Sequence, residues 1–172
     1  MFFGGGGLTL TGGEATLQFD AIAALFKRVR EGGVHTALET NATHPRLPAL
    51  FALLDLLIAD FKHPDPQAHR RFTGLSNETV RANIERAASE GMELLVRIPL
   101  IHGVNDDGAA LSGFAAFLGR FSGRLRAEVL RYHEYGRDKW EKCGMTYQMK
   151  DAFLPEGRAE QLPFRDEAFD AA

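Results

Sequence analysis

The sequence predicts an α/β fold of about five β/α units, in which parallel strands alternate with helices. Short apolar runs of strand length alternate with longer runs of helical periodicity, and glycines or prolines separate many of them. This alternation is typical of parallel strands joined by right-handed crossover helices, in an open sheet or in a barrel. Because five strands are too few to close an ordinary barrel of this kind, we expect an open arc of strands.

The first β/α unit begins close to the first residue of the chain. Residues 8–11 form the first predicted strand, and residues 19–31 form a helix whose apolar side chains recur at i, i+3, i+4 and i+7. The helix ends at Gly32 and Gly33, where a positive φ costs little. Residues 34–40 form the second predicted strand.

The middle of the chain supplies two more strands, residues 56–62 and 94–99, with a helix between them. The run 56–59 is apolar without alternation, as expected of a parallel strand that is covered on both faces. The helix is predicted to begin with Ser76 as its N-cap, supported by a hydrophobic staple between Leu75 and Val80.

A third helix and a fifth strand complete the pattern. The strand covers residues 127–133, and the polar tail, residues 153–172, is predicted to be weakly structured or a short helix. No linker divides the chain, so residues 1–172 are expected to form one domain. The third helix is lined by Leu111, Phe114, Phe117, Leu118 and Phe121.

Composition narrows the possible functions. With 172 residues, of which 45% are hydrophobic and 25% charged, the chain is long enough for one globular domain. A formal net charge of -3 gives no basic field for nucleic acid. No apolar run approaches the ~18 residues of a membrane span, and the first residues lack the layout of an export signal. We therefore expect no membrane partner and a cytoplasmic location.

Cysteine and histidine usage excludes several kinds of metal site. The single cysteine, Cys143, excludes an internal disulfide and any multi-cysteine site within this chain, and we interpret it as an inert thiol. Apart from His133, the histidines show no ligand spacing and are expected to have surface or packing roles. They are His35, His44, His63, His69 and His102.

Polar residues follow each predicted strand. Because the carboxyl ends of parallel strands meet at one rim, these side chains are expected to share a single bowl. Three carboxylates facing a lysine, an arginine and a histidine suit a zwitterion such as an amino acid, or a cation site beside an anion site. The residues concerned are Glu14, Glu39, Thr40, Asn41, Asp60, Lys62, Arg97 and His133.

Each of these residues also has a structural interpretation. Gly12-Gly13 could form a tight turn, with Glu14 complementing a helix dipole. Glu39 and Asp60 could be capping groups, and Lys62 a solvated loop residue.

For Arg97 and His133 the functional role and the structural role are weighed separately. Arg97 lies inside an apolar strand and must find a partner, since an unpaired buried charge costs several kcal/mol. His133 lies in a segment rich in aromatic and charged residues, which could instead only seal a loop.

Five segments, taken in order, resemble the glycyl radical enzyme activating enzymes of the radical S-adenosylmethionine (SAM) superfamily, most nearly those of the pyruvate formate-lyase type. The resemblance covers nearly everything from Gly5 to about Lys150. Its segments are TGGEATLQ, HTALETNAT, IADFKHPDPQAHRRFTG, RIPLIHGVNDD and YHEYGRDKWEKCGMTYQM. It implies a partial (β/α) barrel that binds SAM on a 4Fe-4S cluster and forms a 5'-deoxyadenosyl radical. That radical removes a hydrogen from a glycine of a partner glycyl radical enzyme.

The resemblance also implies roles for individual residues. Gly12, Gly13 and Glu14 match the segment that binds the methionine amino group. Glu39 and Thr40, with Asp60, match a monovalent cation site, for which oxygen ligands are suited. Lys62, Arg97 and His133 match the family positions that contact the nucleoside or the carboxylate of SAM.

The sequence departs from the family pattern in two ways. Glu39 replaces an aspartate, which adds a methylene at the cation site. The CxxxCxxC motif that ligates the cluster is absent, and Cys143 cannot replace three thiolates. We therefore expect an activase domain that is truncated at its N-terminus, has no catalytic residue of its own, is inactive alone, and binds SAM weakly.

Two other functions stay open on the residues alone. The bowl could belong to a non-catalytic module that binds a small zwitterion or a partner. Alternatively, Lys62 could be the Schiff-base nucleophile of a lyase or aldolase, since a lysine at a strand end can act as an amine catalyst.

Overall fold

A computed structural model describes residues 6–132, 142–144 and 146. Five β-strands lie in this part of the chain: β1 (Gly7–Leu10), β2 (His35–Thr40), β3 (Leu56–Asp60), β4 (Leu94–Leu100) and β5 (Arg126–Arg131). The α-helices are α1 (Phe19–Glu31), α2 (Pro66–Thr73), α3 (Glu78–Ser89) and α4 (Gly108–Gly119). Two 3-10 helices, Ala15–Gln18 and Leu47–Leu53, precede α1 and β3.

The strands form one parallel sheet in the order β1-β2-β3-β4-β5. Each strand pairs with the next along the chain, and crossovers of one hand then place the helices on the same face. The predicted α/β fold with five parallel strands is confirmed. Among the described residues, no helix has the length and apolar character needed to cross a lipid bilayer.

The core lies between the sheet and the helices. Alternate residues of each strand face the helices, while their neighbours face the opposite side of the sheet, called here the open face. Buried side chains of α1, α3 and α4 pack against the covered face in a single cluster. Its fully buried large residues include Phe26, Leu38, Leu57, Phe61, Ile84, Ile98 and Phe114.

Local signals explain where two of the helices begin. Asp65 caps α2 by accepting a hydrogen bond from the Ala68 amide at 2.7 Å, and Pro66 occupies the first turn. Asp107 caps α4 in the same way through the Ala110 amide, also at 2.7 Å. These caps fix the loops that leave β3 and β4, so they help to position the rim.

Some sequence predictions differ from the structure. The strands occur where predicted, with ends shifted by one or two residues, but the short helix α2 was not predicted. Ser76 is wrong as the N-cap of α3, because Asn77 occupies that position. The Asn77 side chain instead donates hydrogen bonds to the His63 and Pro64 carbonyls, both at 2.8 Å. The predicted tail, residues 153–172, lies outside the described residues.

Close packing of α4 against the β3–α2 loop leads to a first prediction. A Cβ at Gly113 would lie 2.9 Å from Cβ and Cγ of Pro64, a rigid ring that cannot swing aside. Gly113→Ala should therefore lower the free energy of unfolding by about 1–2 kcal/mol, since overpacking outweighs the gain in helix propensity. Urea denaturation measures this change.

Gly119 in the same helix is the matched control. A Cβ there meets nothing within 4 Å, so Gly119→Ala should be neutral or stabilising by up to ~1 kcal/mol. Equal effects of the two substitutions would show that the Pro64 contact does not restrict residue 113.

Candidate functional site

A cavity of about 70 Å³ lies at the carboxyl ends of β1, β2 and β3. Its lining includes eight of the residues singled out from the sequence. The full lining is Thr11, Gly12, Gly13, Glu14, Glu39, Thr40, Asn41, Asp60 and Lys62. Arg97 does not line the cavity but contacts Glu39 in its wall, and His133 lies outside the described residues.

The glycine pair leaves backbone open at the edge of this cavity. Gly12 has a φ of +124°, which L side chains rarely adopt, and nothing lies within 4 Å of a Cβ built there. Gly13 has the same open surroundings. A ligand can therefore approach the backbone at both positions, and Gly12 is required for the turn itself.

Glu14 is held in place by four hydrogen bonds. Its Oε1 accepts from the Thr16 amide at 3.1 Å, the Thr16 hydroxyl at 2.5 Å and the Thr40 hydroxyl at 2.7 Å. Its Oε2 accepts from the Asn41 amide at 2.8 Å. The carboxylate therefore joins the loop after β1 to the end of β2, and Oε1 is more fully used than Oε2.

The same hydrogen bonds keep Glu14 ionised. Burial alone would raise the pKa of Glu14, but the bonds donated by Thr16, Asn41 and Thr40 together hold the pKa below its ordinary value. A carboxylate that is stabilised by hydrogen bonds in this way stays negatively charged at neutral pH.

Asp60 and Lys62 form a second charged pair at the end of β3. Asp60 Oδ2 lies 3.4 Å from Lys62 Nζ, and the Asp60 side chain is 25% exposed. Burial raises the pKa of Asp60 and nearby Glu39 adds to the rise, so the charge of Lys62 offsets these effects only in part. The ionised form of Asp60 is thus costly in the folded protein.

Arg97 lies between two carboxylates on the open face. Its Nη1 is 3.2 Å from Glu39 Oε2, and its Nε donates to Glu128 Oε2 at 2.9 Å. Burial would lower the pKa of Arg97, but the hydrogen bond to Glu128 and the charges of Glu39, Glu128 and Asp60 raise it overall. The sequence predicted that Arg97, inside an apolar strand, must have a partner of opposite charge, and Glu39 and Glu128 are such partners.

Sequence reasoning missed Glu128 and Asn105. Glu128 stands directly beside Arg97 in the β4–β5 register, so its role needed the strand pairing. Asn105, which is 1% exposed, donates to the Lys62 and Pro99 carbonyls, both at 2.8 Å. Asn105 therefore ties the ends of β3 and β4 together behind the rim.

The remaining histidines divide between packing and exposed positions. His69 is 2% exposed and bonds through Nδ1 to the Leu75 carbonyl at 2.6 Å, while His63 is 7% exposed. His44 stacks on Phe19, with ring centroids 4.8 Å apart. Among the described residues, no group of three or more His, Cys, Asp or Glu side chains is arranged to hold a metal ion.

The raised pKa of Asp60 predicts that the site lowers the stability of the protein. A carboxyl with a raised folded-state pKa binds its proton more readily in the folded chain, so stability falls as pH rises from the ordinary pKa through the raised one. Asp60→Asn should raise the free energy of unfolding at pH 7 by about 0.5–1 kcal/mol. The gain should disappear below pH 3.8, the ordinary pKa, in urea titrations at several pH values. A loss of stability at pH 7 would contradict it.

Comparison with known proteins shows the family to which this chain belongs. A family model described as the radical SAM superfamily matches residues 2–111, which is more than half of the chain. The chain belongs to the radical SAM superfamily.

The curated relatives of this radical SAM chain include activating enzymes. It is 34% identical over 151 residues to the (2S)-3-sulfopropanediol dehydratase activating enzyme of Klebsiella oxytoca, covering 86% of the chain and 48% of that protein. It is 35% identical over 158 residues to the pyruvate formate-lyase-activating enzyme of Streptococcus mutans, covering 87% of the chain and 60% of that protein. The chain thus spans about half to three fifths of the length of these relatives.

Solved structures agree with the fold. A domain of a pyruvate-formate lyase-activating enzyme from Bacteroides vulgatus matches with a TM-score of 0.71 and 29% identity, covering 92% of this chain and 91% of that one. Coproporphyrinogen III oxidase from Escherichia coli, at 17% identity and a TM-score of 0.56, covers 89% of this chain and 37% of that one and supports the fold alone. The predicted partial barrel of a radical SAM domain is confirmed.

The residues of this chain fit one of the two groups that the superfamily uses. They do not fit the 4Fe-4S cluster, because its motif supplies three thiolates and the sequence holds one cysteine, the exposed Cys143. They do fit the amino acid end of SAM, since open glycine backbone and an ionised Glu14 lie beside Lys62. A cavity of about 70 Å³ has room for a small charged group rather than a nucleoside.

Proposed function

We propose that this rim binds the amino acid end of SAM, and that the chain is the SAM-binding part of a glycyl radical enzyme activase. The observation that carries the proposal is the convergence of Gly12, Gly13, Glu14 and Lys62 on one cavity at the ends of parallel strands. Ligands of open α/β sheets bind at this edge. The family of the chain supports the choice of ligand.

Glu14 is the proposed acceptor for the ammonium group. Its Oε2 receives one hydrogen bond from the described residues, from the Asn41 amide, so it keeps acceptor capacity toward the cavity. Its lowered pKa keeps it charged, and a charge-assisted bond to an ammonium is stronger than a neutral one. Open backbone at Gly13 lets the ligand come close.

Lys62 and Arg97 are the proposed partners of the ligand carboxylate or nucleoside, together with His133. Lys62 lines the cavity, and within the described part of the chain its one ion pair is with Asp60 at 3.4 Å. The contacts of Arg97 with Glu39 and Glu128 use its Nη1 and Nε atoms, and neither contact uses Nη2. Both cations can therefore take an anionic group without losing all of their existing partners.

The charge balance of the rim suits a sulfonium compound. Among the described residues at the cavity and in contact with its wall, the carboxylates of Glu14, Glu39, Asp60 and Glu128 accompany the two cations Lys62 and Arg97. The excess of negative charge favours a ligand with a net positive charge, and SAM carries a sulfonium and an ammonium against one carboxylate. Charge complementarity of this kind also speeds association.

A monovalent cation at Glu39, Thr40 and Asp60 is a further part of the proposal. All three residues line the cavity and offer oxygen ligands. Glu39 and Asp60 already contact Arg97 and Lys62, so a bound cation would have to compete with these two protein cations.

The proposed activity belongs to the whole activase. When SAM binds a 4Fe-4S cluster, reductive cleavage supplies a 5'-deoxyadenosyl radical for hydrogen abstraction from a glycine. The proposed partner is a glycyl radical enzyme such as pyruvate formate-lyase, after the enzymes that the relatives are named for activating. This chain alone is proposed to bind SAM without forming a radical, and a cytoplasmic location belongs to the same proposal.

Saturation-transfer NMR on the chain with SAM tests the binding step. The S-methyl and Cα protons of the ligand should receive saturation, with a Kd of about 0.1–10 mM because the cluster contacts are missing. Glu14→Gln should weaken binding about tenfold by removing the charge. Glu31→Gln, at the exposed end of α1, is the control and should bind as the unmodified chain does. Absence of transfer at millimolar SAM, or equal transfer in both variants, would contradict the proposal.

A further inference from the structure

We propose that Glu128 is a positioning residue that orients Arg97 toward the ligand, an inference that rests on the proposed SAM site. Asp60, Arg97 and Glu128 are direct neighbours on β3, β4 and β5, so they form one row across the sheet. The row alternates in sign and lies on the open face. Opposite charges at directly paired positions stabilise each other.

The geometry of the guanidinium shows what Glu128 does. Nε donates a hydrogen bond to Glu128 Oε2 at 2.9 Å, and Nη1 forms an ion pair with Glu39 Oε2 at 3.2 Å. Among the hydrogen bonds and ion pairs of the described residues, none uses Nη2 of Arg97. The hydrogen bond to Glu128 orients the guanidinium, the ion pair with Glu39 adds a second attraction, and among the described residues Nη2 stays open to another anion.

Glu128 is the more restrictive of the two partners. It binds Nε, the nitrogen nearest the side-chain stem, so it limits rotation of the whole guanidinium group. Without it, Arg97 would still be attracted by Glu39 and by the nearby Asp60, whose charges both act on it. The guanidinium would then turn toward these two acids, and Nη2 would no longer be held in a single direction.

A second ion pair between the same two strands serves as a reference. Glu93, just before β4, lies 2.8 Å from Arg126 at the start of β5, with both side chains more than half exposed. This pair lies at the amino ends of the strands, away from the rim. Like the Arg97–Glu128 pair, the Glu93–Arg126 pair can stabilise the pairing of β4 with β5. Unlike Glu128, Glu93 does not contact Arg97.

The test uses three variants of the chain: Glu128→Ala, Glu128→Gln and the control Glu93→Gln. SAM affinity is measured by NMR titration, and the Nε–H signal of Arg97 is followed without ligand. Glu128→Ala should weaken SAM binding about 5- to 10-fold, the effect of losing one orienting hydrogen bond, and should speed exchange of the Arg97 Nε–H. Glu128→Gln keeps an acceptor oxygen and should restore most of both properties, and Glu93→Gln should change neither.

The possible results separate this inference from the proposed function. Wild-type affinity in Glu128→Ala, together with weakened binding in Arg97→Met, would overturn the positioning role and leave the SAM site standing. Equal losses in Glu128→Ala and Glu93→Gln would also overturn it, because they would reflect strand pairing alone. If the unmodified chain does not bind SAM, both proposals fail.

Discussion

Glu14→Ala is expected to destabilise the protein and to abolish measurable SAM binding. The substitution removes the acceptor of four hydrogen bonds and leaves the Thr16 and Asn41 amides and the nearly buried Thr40 hydroxyl without that partner. Unmade bonds of this kind cost about 2–4 kcal/mol in total, since donors stay desolvated. Chemical denaturation at pH 7 measures the loss of stability, and the NMR titration with SAM measures the loss of binding.

The pH dependence of stability provides an internal check on Glu14. Its pKa is lowered in the folded state, so its contribution is present above the ordinary pKa and is lost as pH falls through the lowered one. As the pH falls from the ordinary pKa through the lowered one, the free energy of unfolding should therefore decrease less in the Glu14→Ala variant than in the unmodified chain. Glu14→Gln should lie between the two at pH 7, because it keeps one acceptor oxygen. A variant as stable as the unmodified chain would show that these hydrogen bonds do not hold the loop to β2.

Phe61→Ala is expected to have the largest effect on stability. Phe61 is fully buried between Asp60 and Lys62, and its ring lies 5.3 Å from that of Phe114 and 5.1 Å from that of Phe117. Removing it leaves a cavity in the core, which costs about 3–5 kcal/mol. Thermal unfolding followed by circular dichroism measures the change.

The same substitution should also disturb the site. Phe61 faces the core while its two charged neighbours face the cavity, so the ring fixes the chain where β3 ends. Phe72→Ala provides the matched control, since Phe72 is 45% exposed and should cost less than ~1 kcal/mol. A Phe61→Ala protein as stable as the Phe72→Ala protein would contradict the assignment of Phe61 to the core.

The strands and most of the rim could be predicted from the sequence because their signals are local. Each apolar run ends in polar residues, and parallel pairing brings such ends to one edge whatever the details of packing. Gly12, Glu14 and Lys62 were found in this way. The bounds of helix α2 also carry local sequence signals, namely Asp65 before Pro66 at its start and Gly74, which has a positive φ, after Thr73 at its end.

Other features depended on contacts between distant segments. Glu128 becomes a partner of Arg97 only through the β4–β5 register, and nothing in the run RAEVLR marks it as part of the site. Asn105 joins two strand ends through backbone carbonyls, which carry no sequence signal. Asn77 displaced Ser76 as the N-cap because its side chain bonds to the β3–α2 loop. Such choices are made by tertiary contacts rather than by propensity.

The strand-end residues are proposed to hold the amino acid end of one SAM molecule. A crystal structure of the chain with SAM tests it most directly. We expect the ligand ammonium to lie within hydrogen-bond distance of Glu14, beside the Gly12-Gly13 backbone, and the ligand carboxylate to lie toward Lys62 or Arg97. Density for SAM elsewhere, for example in the groove of about 930 Å³ that Phe72 and Phe117 help to line, with the strand-end cavity empty, would contradict it.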